Sequence, residues 1–214
     1  MAELSLELEH INFKLLLKNP ADVDLEAVIP VFHSWIQDQV CDELLLDVAD
    51  YRHVKAGPGI VLIGHEADYS LDNTDDRLGL RYNRKATMEG NNQERLEQAL
   101  RAALSALERL ENEPSLAGKV GFDGRELEVF INDRLLAGNR EGREQLQREL
   151  RTLLGKLLVG GAYSLSYAAD PRRLLGARIH CQRDFSTADL LKNLEAGRID
   201  EFRGPSPPDS NPYS

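Results

Sequence analysis

The sequence predicts an α+β fold built from two similar halves, with a mixed, mainly antiparallel sheet and helices on one face. Residues 11–19 (INFKLLLKN) recur 120 positions later as residues 131–139 (INDRLLAGN), with five of nine positions identical. A repeat at a fixed offset is typical of duplicated supersecondary units. In addition, apolar residues alternate at strand spacing in some segments and recur at helical spacing in others.

Further matches follow the two copies of the repeat. Residues 49–52 (ADYR) match residues 169–172 (ADPR) at the same offset of 120. Residues 68–70 match residues 184–186 at an offset of 116, so the second copy is four residues shorter across one hairpin. A change in loop length of that size costs little free energy.

Three segments follow from this duplication. Residues 1–124 are predicted to form a first α+β half. Residues 125–203 are predicted to form a second half, packed with the first as one continuous unit. Residues 204–214 are rich in proline and serine, and we expect this tail to be disordered.

The first half is predicted as strands and helices in a defined order. Alternating leucines predict strand structure from the start of the chain to Leu17, with a change of phase near His10 that indicates a bulge or two consecutive strands. Asp24 is placed to cap a helix whose apolar stripe includes Trp35. Further strands are predicted at 44–51, 60–63 and 78–82, and a long amphipathic helix at 93–111.

The second half is predicted to repeat strand, helix, strand and strand. Asp123 and Gly124 form the sequence pair that is typical of a two-residue hairpin, which would join the halves into one sheet. A strand then runs through Ile131, and a helix with a leucine stripe ends at Gly160. Two strands follow, the second reaching Cys181, before a last short helix.

The connection between the first two strands of each unit decides the predicted topology. A helical return makes them parallel, and the next hairpin adds an antiparallel strand. Together with the long helix, the first half then has the element order of a ferredoxin-like fold. This order resembles the tandem strand–helix–strand–strand modules of gyrase-inhibitor-type small-molecule binders. The resemblance covers topology alone and implies no site residue, because a fold does not define a function.

The amino-acid composition predicts the cellular compartment and disfavours two classes of partner. The chain has 214 residues and two cysteines, which suits a reducing compartment with free thiols, and we expect a cytoplasmic protein. No signal peptide is evident, and no apolar run approaches the ~18 residues that span a bilayer. A net charge of −10 disfavours nucleic acid and anionic membranes as partners.

The densest cluster of polar residues surrounds the first hairpin and predicts a binding site. It contains His53, His65, Glu66, Asp68 and Tyr69. On a strand, Glu66 and Asp68 would share one face and form a carboxylate pair, with His65 or His53 as an acid/base group. The alternative is a polar strand end that emerges into solvent.

A cysteine and a group of acidic residues are further candidates for a site. The aligned copies place Cys181 opposite His65, which predicts that both line a cleft between the halves; alternatively, Cys181 is a small buried apolar residue. The acidic residues Asp72, Asp75 and Asp76 lack the spacing of a calcium loop and predict a solvated turn. No cysteine or histidine spacing indicates a metal, and no cofactor is predicted.

Three functions remain open. The first is a non-catalytic binding or assembly module, the second a small-molecule sensor that binds between the two halves, and the third an enzyme that uses Glu66 and Asp68 with His65 or His53. A homodimer is also predicted, because a sheet with one apolar face uncovered is unusual in a monomer.

Overall fold

The computed structural model describes residues 6–136, 139–168, 170 and 173–202, with backbone alone for 197–202. These residues form an eight-stranded antiparallel sheet and four α-helices, so the predicted α+β class is confirmed. The strands are β1 (Ile11–Leu17), β2 (Leu45–Tyr51), β3 (Gly59–Gly64), β4 (Ala67–Asp72), β5 (Gly79–Arg84), β6 (Phe122–Ile131), β7 (Tyr163–Tyr167) and β8 (Leu175–Cys181). The helices are α1 (Leu25–Asp38), α2 (Asn92–Glu111), α3 (Arg140–Leu157) and α4 (Thr187–Phe202).

The order of strands differs from the predicted one. Across the sheet it is β2-β3-β4-β5-β1-β6-β8-β7, and all of these neighbours pair antiparallel. The first two strands of each half run in the same direction, as predicted, but they are not neighbours, because α1 and α3 lead to the edge strands β2 and β7. The predicted mixed sheet is wrong, because every described strand pair is antiparallel. From each edge the chain returns as an antiparallel run of strands. The ferredoxin-like topology is therefore not confirmed.

The predicted hairpin at Asp123 and Gly124 is wrong, because both residues lie inside the continuous strand β6. Gly124 is needed there for close approach rather than for a turn. A Cβ atom at this position would lie 1.8 Å from the backbone oxygen of Phe185. The boundary proposed after residue 124 falls within the same strand.

The two predicted halves meet at the centre of the sheet, where β1 pairs with β6. Ile11 lies opposite Ile131, and Leu15 lies opposite Leu127. Each half begins with its central strand, continues through a helix to an edge strand, and returns to lie beside the central strand.

The sequence repeat itself does not adopt one structure. Residues 11–17 form β1, whereas in the described part of the second copy, residues 131–136 and 139, only Ile131 belongs to a strand, and Arg134–Leu136 forms a 3-10 turn. The internal duplication is therefore not confirmed, even though the order of elements is similar in both halves. The tail at 204–214 and the second ADPR copy, apart from Asp170, lie outside the described residues.

One face of the sheet forms the hydrophobic core with the helices. Along β1, the side chains of Ile11, Phe13 and Leu15 point to this face and are fully buried. Helix α1 packs on β2 and β3, α2 on β1 and β5, and α3 on β8, while α4 packs on α2 and α3. The opposite face carries the intervening residues of each strand, and we call it the open face.

Local sequence signals explain where the helices begin. Asp24 caps α1 by accepting a hydrogen bond from the Glu26 amide, as predicted, and Asn91 forms a reciprocal capping box with Glu94 at the start of α2. Asn139 caps α3 by accepting a hydrogen bond from the Gly142 amide. Within the described residues, no helix has the length and apolar character needed to cross a membrane.

Candidate functional site

A row of charged side chains crosses the centre of the open face. The strand register places Arg81 of β5 opposite Lys14 of β1, Lys14 opposite Glu128 of β6, and Glu128 opposite Arg178 of β8. Cross-strand neighbours of this kind have Cβ atoms about 5 Å apart, so their side chains interact. The row follows from the period of two in each strand, because the neighbouring positions face the apolar core.

Lys14 of this row forms a buried ion pair with Asp72, at the end of β4. The Lys14 ammonium lies 2.6 Å from Oδ1 of Asp72, and both side chains are only 2% exposed. Lys14 also donates to the backbone oxygen of Thr74 at 3.2 Å, which places the 3-10 turn Thr74–Asp76 over it. The backbone amide and hydroxyl of Thr74 both donate to Asp72. Asp72 therefore has several donors, as a buried carboxylate requires.

The carboxylate of Glu128 is held between two arginines. Its Oε1 atom accepts a hydrogen bond from Arg77 at 2.8 Å and lies 2.8 Å from Nε of Arg178. The same Arg77 guanidinium pairs with Glu126 at 2.7 Å. Glu128 is 5% exposed, so this network fixes a buried charge next to Lys14.

A second cross-strand row supports Arg81. Its Nε and Nη2 atoms donate to the side-chain oxygen of Asn12, and its guanidinium lies over the ring of Phe130, 5.8 Å from the centroid. Phe130 lies opposite Gly176 in the register. A Cβ atom at Gly176 would be 2.7 Å from the Phe130 ring, so the glycine leaves room for it.

A cavity of about 580 Å³ lies over these rows, and we call it the cleft. Its walls come from both halves of the chain. The first half contributes Lys14, Asp72, Thr74, Asp75 and Arg81, and the second contributes Glu128, Phe130, Tyr167, Arg173, Leu174 and Arg178. This volume lies within the range of small-molecule sites.

Ion pairs of Asp75 with Arg173 and Arg178 connect the two sides of the cleft. Both Nη atoms of Arg173 donate to the carboxylate of Asp75, at 2.7 and 3.0 Å. These hydrogen bonds hold the pKa of the Asp75 carboxyl below its ordinary value. Asp75 has a positive φ of 62°, a conformation that aspartate tolerates better than most residues.

The predicted site residues His65 and Glu66 lie away from the cleft. They form the turn between β3 and β4, and His65 is 69% exposed. Its Nδ1 atom lies 3.1 Å from Oε1 of Glu66, and this hydrogen bond lowers the pKa of the Glu66 carboxyl. Glu66 lies in the turn, before β4 begins at Ala67. The premise that Glu66 and Asp68 share one strand is therefore wrong.

Asp68 lies on the open face of β4, outside the charged row that carries Lys14. It pairs with Lys85 at 2.7 Å, and its Oδ1 atom accepts from the Gly64 amide. Asp68 and Glu66 thus have separate basic partners, Lys85 and His65. Their role in ligand binding stays a prediction.

Tyr69 faces the core and takes part in a buried hydrogen-bond network. Its hydroxyl donates to Oε2 of Glu43 at 2.6 Å, and the hydroxyl of Tyr82 donates to Oε1 at 2.8 Å. Burial raises the pKa of both phenols, so they act as neutral donors. Glu43 is buried and has Arg84 as a distant basic neighbour at 3.9 Å.

His53 and Cys181 lie far from His65. His53 follows β2, at the other end of the six-residue strand β3 from His65, a distance of about 20 Å. Cys181 ends β8, and four strands separate β8 from β3, or about 24 Å. The predicted cleft shared by His65 and Cys181 is therefore wrong; Cys181 is a buried thiol at the core face, as the alternative proposed.

Sequence reasoning missed the residues of the cleft. Asp72 was assigned with Asp75 and Asp76 to a solvated turn, and that prediction is wrong for Asp72, which is 1% exposed. The available signal was Lys14, the single charged residue in the strand INFKLLL. A lysine at the centre of a mostly apolar strand is expected to be buried, and a buried lysine needs a partner of opposite charge.

Comparison with known proteins does not identify the site. The chain matches no protein-family model, and no curated protein matches its sequence. Among the described residues, no group of three or more histidine, cysteine, aspartate or glutamate side chains is placed to hold a metal ion. The functional argument therefore depends on the geometry of the cleft.

Proposed function

We propose that the protein is a non-catalytic small-molecule binding module whose ligand occupies the cleft between its two halves. The observation that carries this proposal is the joint construction of the cleft. Lys14 and Arg81 come from the first half, and Phe130 and Arg178 from the second. A ligand held there contacts both halves at once, which suits a sensor.

The pairing of the charged groups favours binding over catalysis. A general acid or base must exchange a proton with the substrate. In the cleft, Asp72 is tied to Lys14, and Glu128 to Arg77 and Arg178. Groups fixed in ion pairs of this kind are suited to orienting a ligand, since rigid polar groups define specificity in a pocket.

A fragment screen with a blocked variant tests the proposal. Ser166 of β7 lines the cleft and is exposed, so Ser166→Trp fills the cavity without disturbing the core. Ser164 lies on the same strand and the same face but outside the lining, and Ser164→Trp is the matched control. We expect fragments that raise the Tm of the wild type and of Ser164→Trp to have no effect on Ser166→Trp.

Either of two results contradicts the proposal. In one, no fragment stabilises the wild-type protein. In the other, the fragments that bind stabilise Ser166→Trp equally well, which would place their site elsewhere.

The second candidate is an enzyme with acid/base groups at the β3–β4 turn. It is favoured by the hydrogen bond between His65 and Glu66, and by the buried Oε2 atom of Glu66, which has no hydrogen-bond partner among the described residues. Glu66→Gln keeps the shape of the side chain and removes the charge. If the fragments no longer raise the Tm of Glu66→Gln but still raise the Tm of Ser166→Trp, this candidate is favoured over the cleft.

The homodimer and the cytoplasmic location stay predictions. The dimer was predicted from an uncovered apolar face, but the central rows of the open face are charged. Among the described residues, four of the six exposed large apolar side chains lie at and beside the edge strand β2, at Leu44, Leu46, Tyr51 and Val54, and the other two, Leu135 and Val159, lie before and after α3. Light scattering at micromolar concentration checks the oligomeric state. Two free thiols, Cys41 and Cys181, support a reducing compartment.

A further inference from the structure

The cleft has two chemically different ends. Over β5, β1 and the turn after β4, its wall is formed by Lys14, Arg81 and Asp72. Towards β8 and the connection that precedes it, the wall adds the apolar side chains of Phe130, Leu174 and Ala177 beside Arg173 and Arg178. A ligand that fills both ends must combine a polar group with an apolar body.

The carboxylates of the cleft are already engaged. Asp72 accepts from Lys14 and twice from Thr74, Asp75 accepts both hydrogen bonds of Arg173, and Glu128 is held by two arginines. Asp170, the fourth acidic residue of the wall, is likewise engaged. The negative charges of Asp72, Asp75 and Glu128 are therefore each compensated by a basic side chain of the protein.

The donors of the cleft have unused capacity. An ammonium carries three N–H donors, and the hydrogen bonds of Lys14 to Asp72 and Thr74 use two of them. Arg81 donates through Nε and Nη2, while its Nη1 atom lies 3.6 Å from Asp72, beyond hydrogen-bond distance. The wall contains four basic and four acidic residues, so net charge does not decide the ligand. The unused N–H donors of Lys14 and Arg81 therefore decide which ligand fits.

From these contacts we infer that the ligand is an amphipathic organic anion, with its acidic head on Lys14 and Arg81 and its apolar body against Phe130 and Leu174. This inference rests on the proposed function. A carboxylate or phosphate head accepts charge-assisted hydrogen bonds from both cations, which are stronger than neutral ones.

Calorimetric titration with two probes of equal shape and opposite charge tests the inference. 1-Naphthoate carries the anion, and 1-naphthylmethylammonium carries the cation on the same ring system. We expect 1-naphthoate to bind and the ammonium to bind at least about tenfold more weakly, as expected for loss of one charge-assisted hydrogen bond. Inorganic phosphate, with a head and no body, is expected to bind more weakly than 1-naphthoate.

Two variants assign the head group to its partners. Arg81→Gln is expected to weaken 1-naphthoate binding by about tenfold, with Arg125→Gln as the charge-matched control, since Arg125 is exposed and lies outside the lining of the cleft. Lys14→Gln is combined with Asp72→Asn, so that no unpaired charge remains buried and the fold is kept. Circular dichroism verifies the fold of each variant.

The outcomes separate this inference from the proposed function. If both naphthyl probes bind equally, or if Arg81→Gln matches Arg125→Gln, the anion inference is overturned, while fragments blocked by Ser166→Trp would still support binding in the cleft. If 1-naphthoate does not bind at all, the inference is overturned as well. If no fragment of any charge binds, the proposed function falls with it.

Discussion

Two lysines of the same strand region, Lys14 and Lys18, form ion pairs of very different burial. Lys14 lies between residues of an apolar strand, yet its ammonium is buried next to Asp72 rather than exposed to solvent. Burying either charge alone would cost desolvation free energy, and the attraction between the two charges offsets that cost. Lys18, four positions later, lies at the surface and pairs with Asp184 with both side chains about half exposed.

Removing one member of the buried pair is expected to destabilise the protein strongly. Lys14→Met leaves the Asp72 charge without its partner, and we expect a loss of about 3–5 kcal/mol in the free energy of unfolding. Combining it with Asp72→Leu is expected to restore most of this loss. Lys18→Met breaks only an exposed pair and should change stability by about 1 kcal/mol or less. Urea unfolding gives all three values, and equal effects of the two single variants would contradict the account.

The burial of the two thiols should be measurable from the pH dependence of stability and from the rate of thiol alkylation. Burial raises the pKa of Cys41 and of Cys181 from 9.0 to about 11, because it disfavours the thiolate. Any stability linked to these groups is complete below pH 9 and is lost as the pH rises through about 11. Since alkylation requires the thiolate, iodoacetamide should label the native protein at pH 8 far more slowly than the unfolded protein. Labelling of both forms at the same rate would be inconsistent with buried thiols.

Among the elements, β6 shows why a local signal failed. Asp123 and Gly124 are favoured in two-residue hairpins, but the chain continues through them as a strand because β6 pairs with β1 on one side and β8 on the other. Gly124 is required by the backbone of Phe185, which passes directly over it. Tertiary contacts thus override turn propensity at this position.

Alanine at the two glycines near the start of β6 should separate close approach from turn formation. A Cβ atom at Gly124 collides with the Phe185 backbone, so Gly124→Ala is expected to destabilise by about 1–3 kcal/mol. At Gly121 nothing lies within 4 Å of the added atom, and Gly121→Ala should be close to neutral. Thermal unfolding compares the two variants. A larger effect at Gly121 would show that the strand assignment at Gly124 is incorrect.

At the scale of the whole molecule, the sequence predicted the elements better than their arrangement. The Asp24 cap and the amphipathic helices are local signals, and the structure confirms them. The alternating leucines before Ile11 also predicted a strand, but residues 6–10 do not form one. Strand order depends on which partners a strand finds at long range, and nothing in β2 or β7 indicates an edge position. The cleft was missed for the same reason, because Lys14, Glu128 and Arg178 become neighbours only through the order β1-β6-β8.

Nuclear magnetic resonance mapping of the strongest fragment from the screen tests the central claim most directly. We expect its backbone shift changes to fall in both halves of the chain, at Asp72–Arg81 in the first half and at Glu128–Phe130 and Leu174–Arg178 in the second. Shifts confined to one half, or centred on His65, Glu66 and Asp68, would contradict a ligand site built jointly over the central strands.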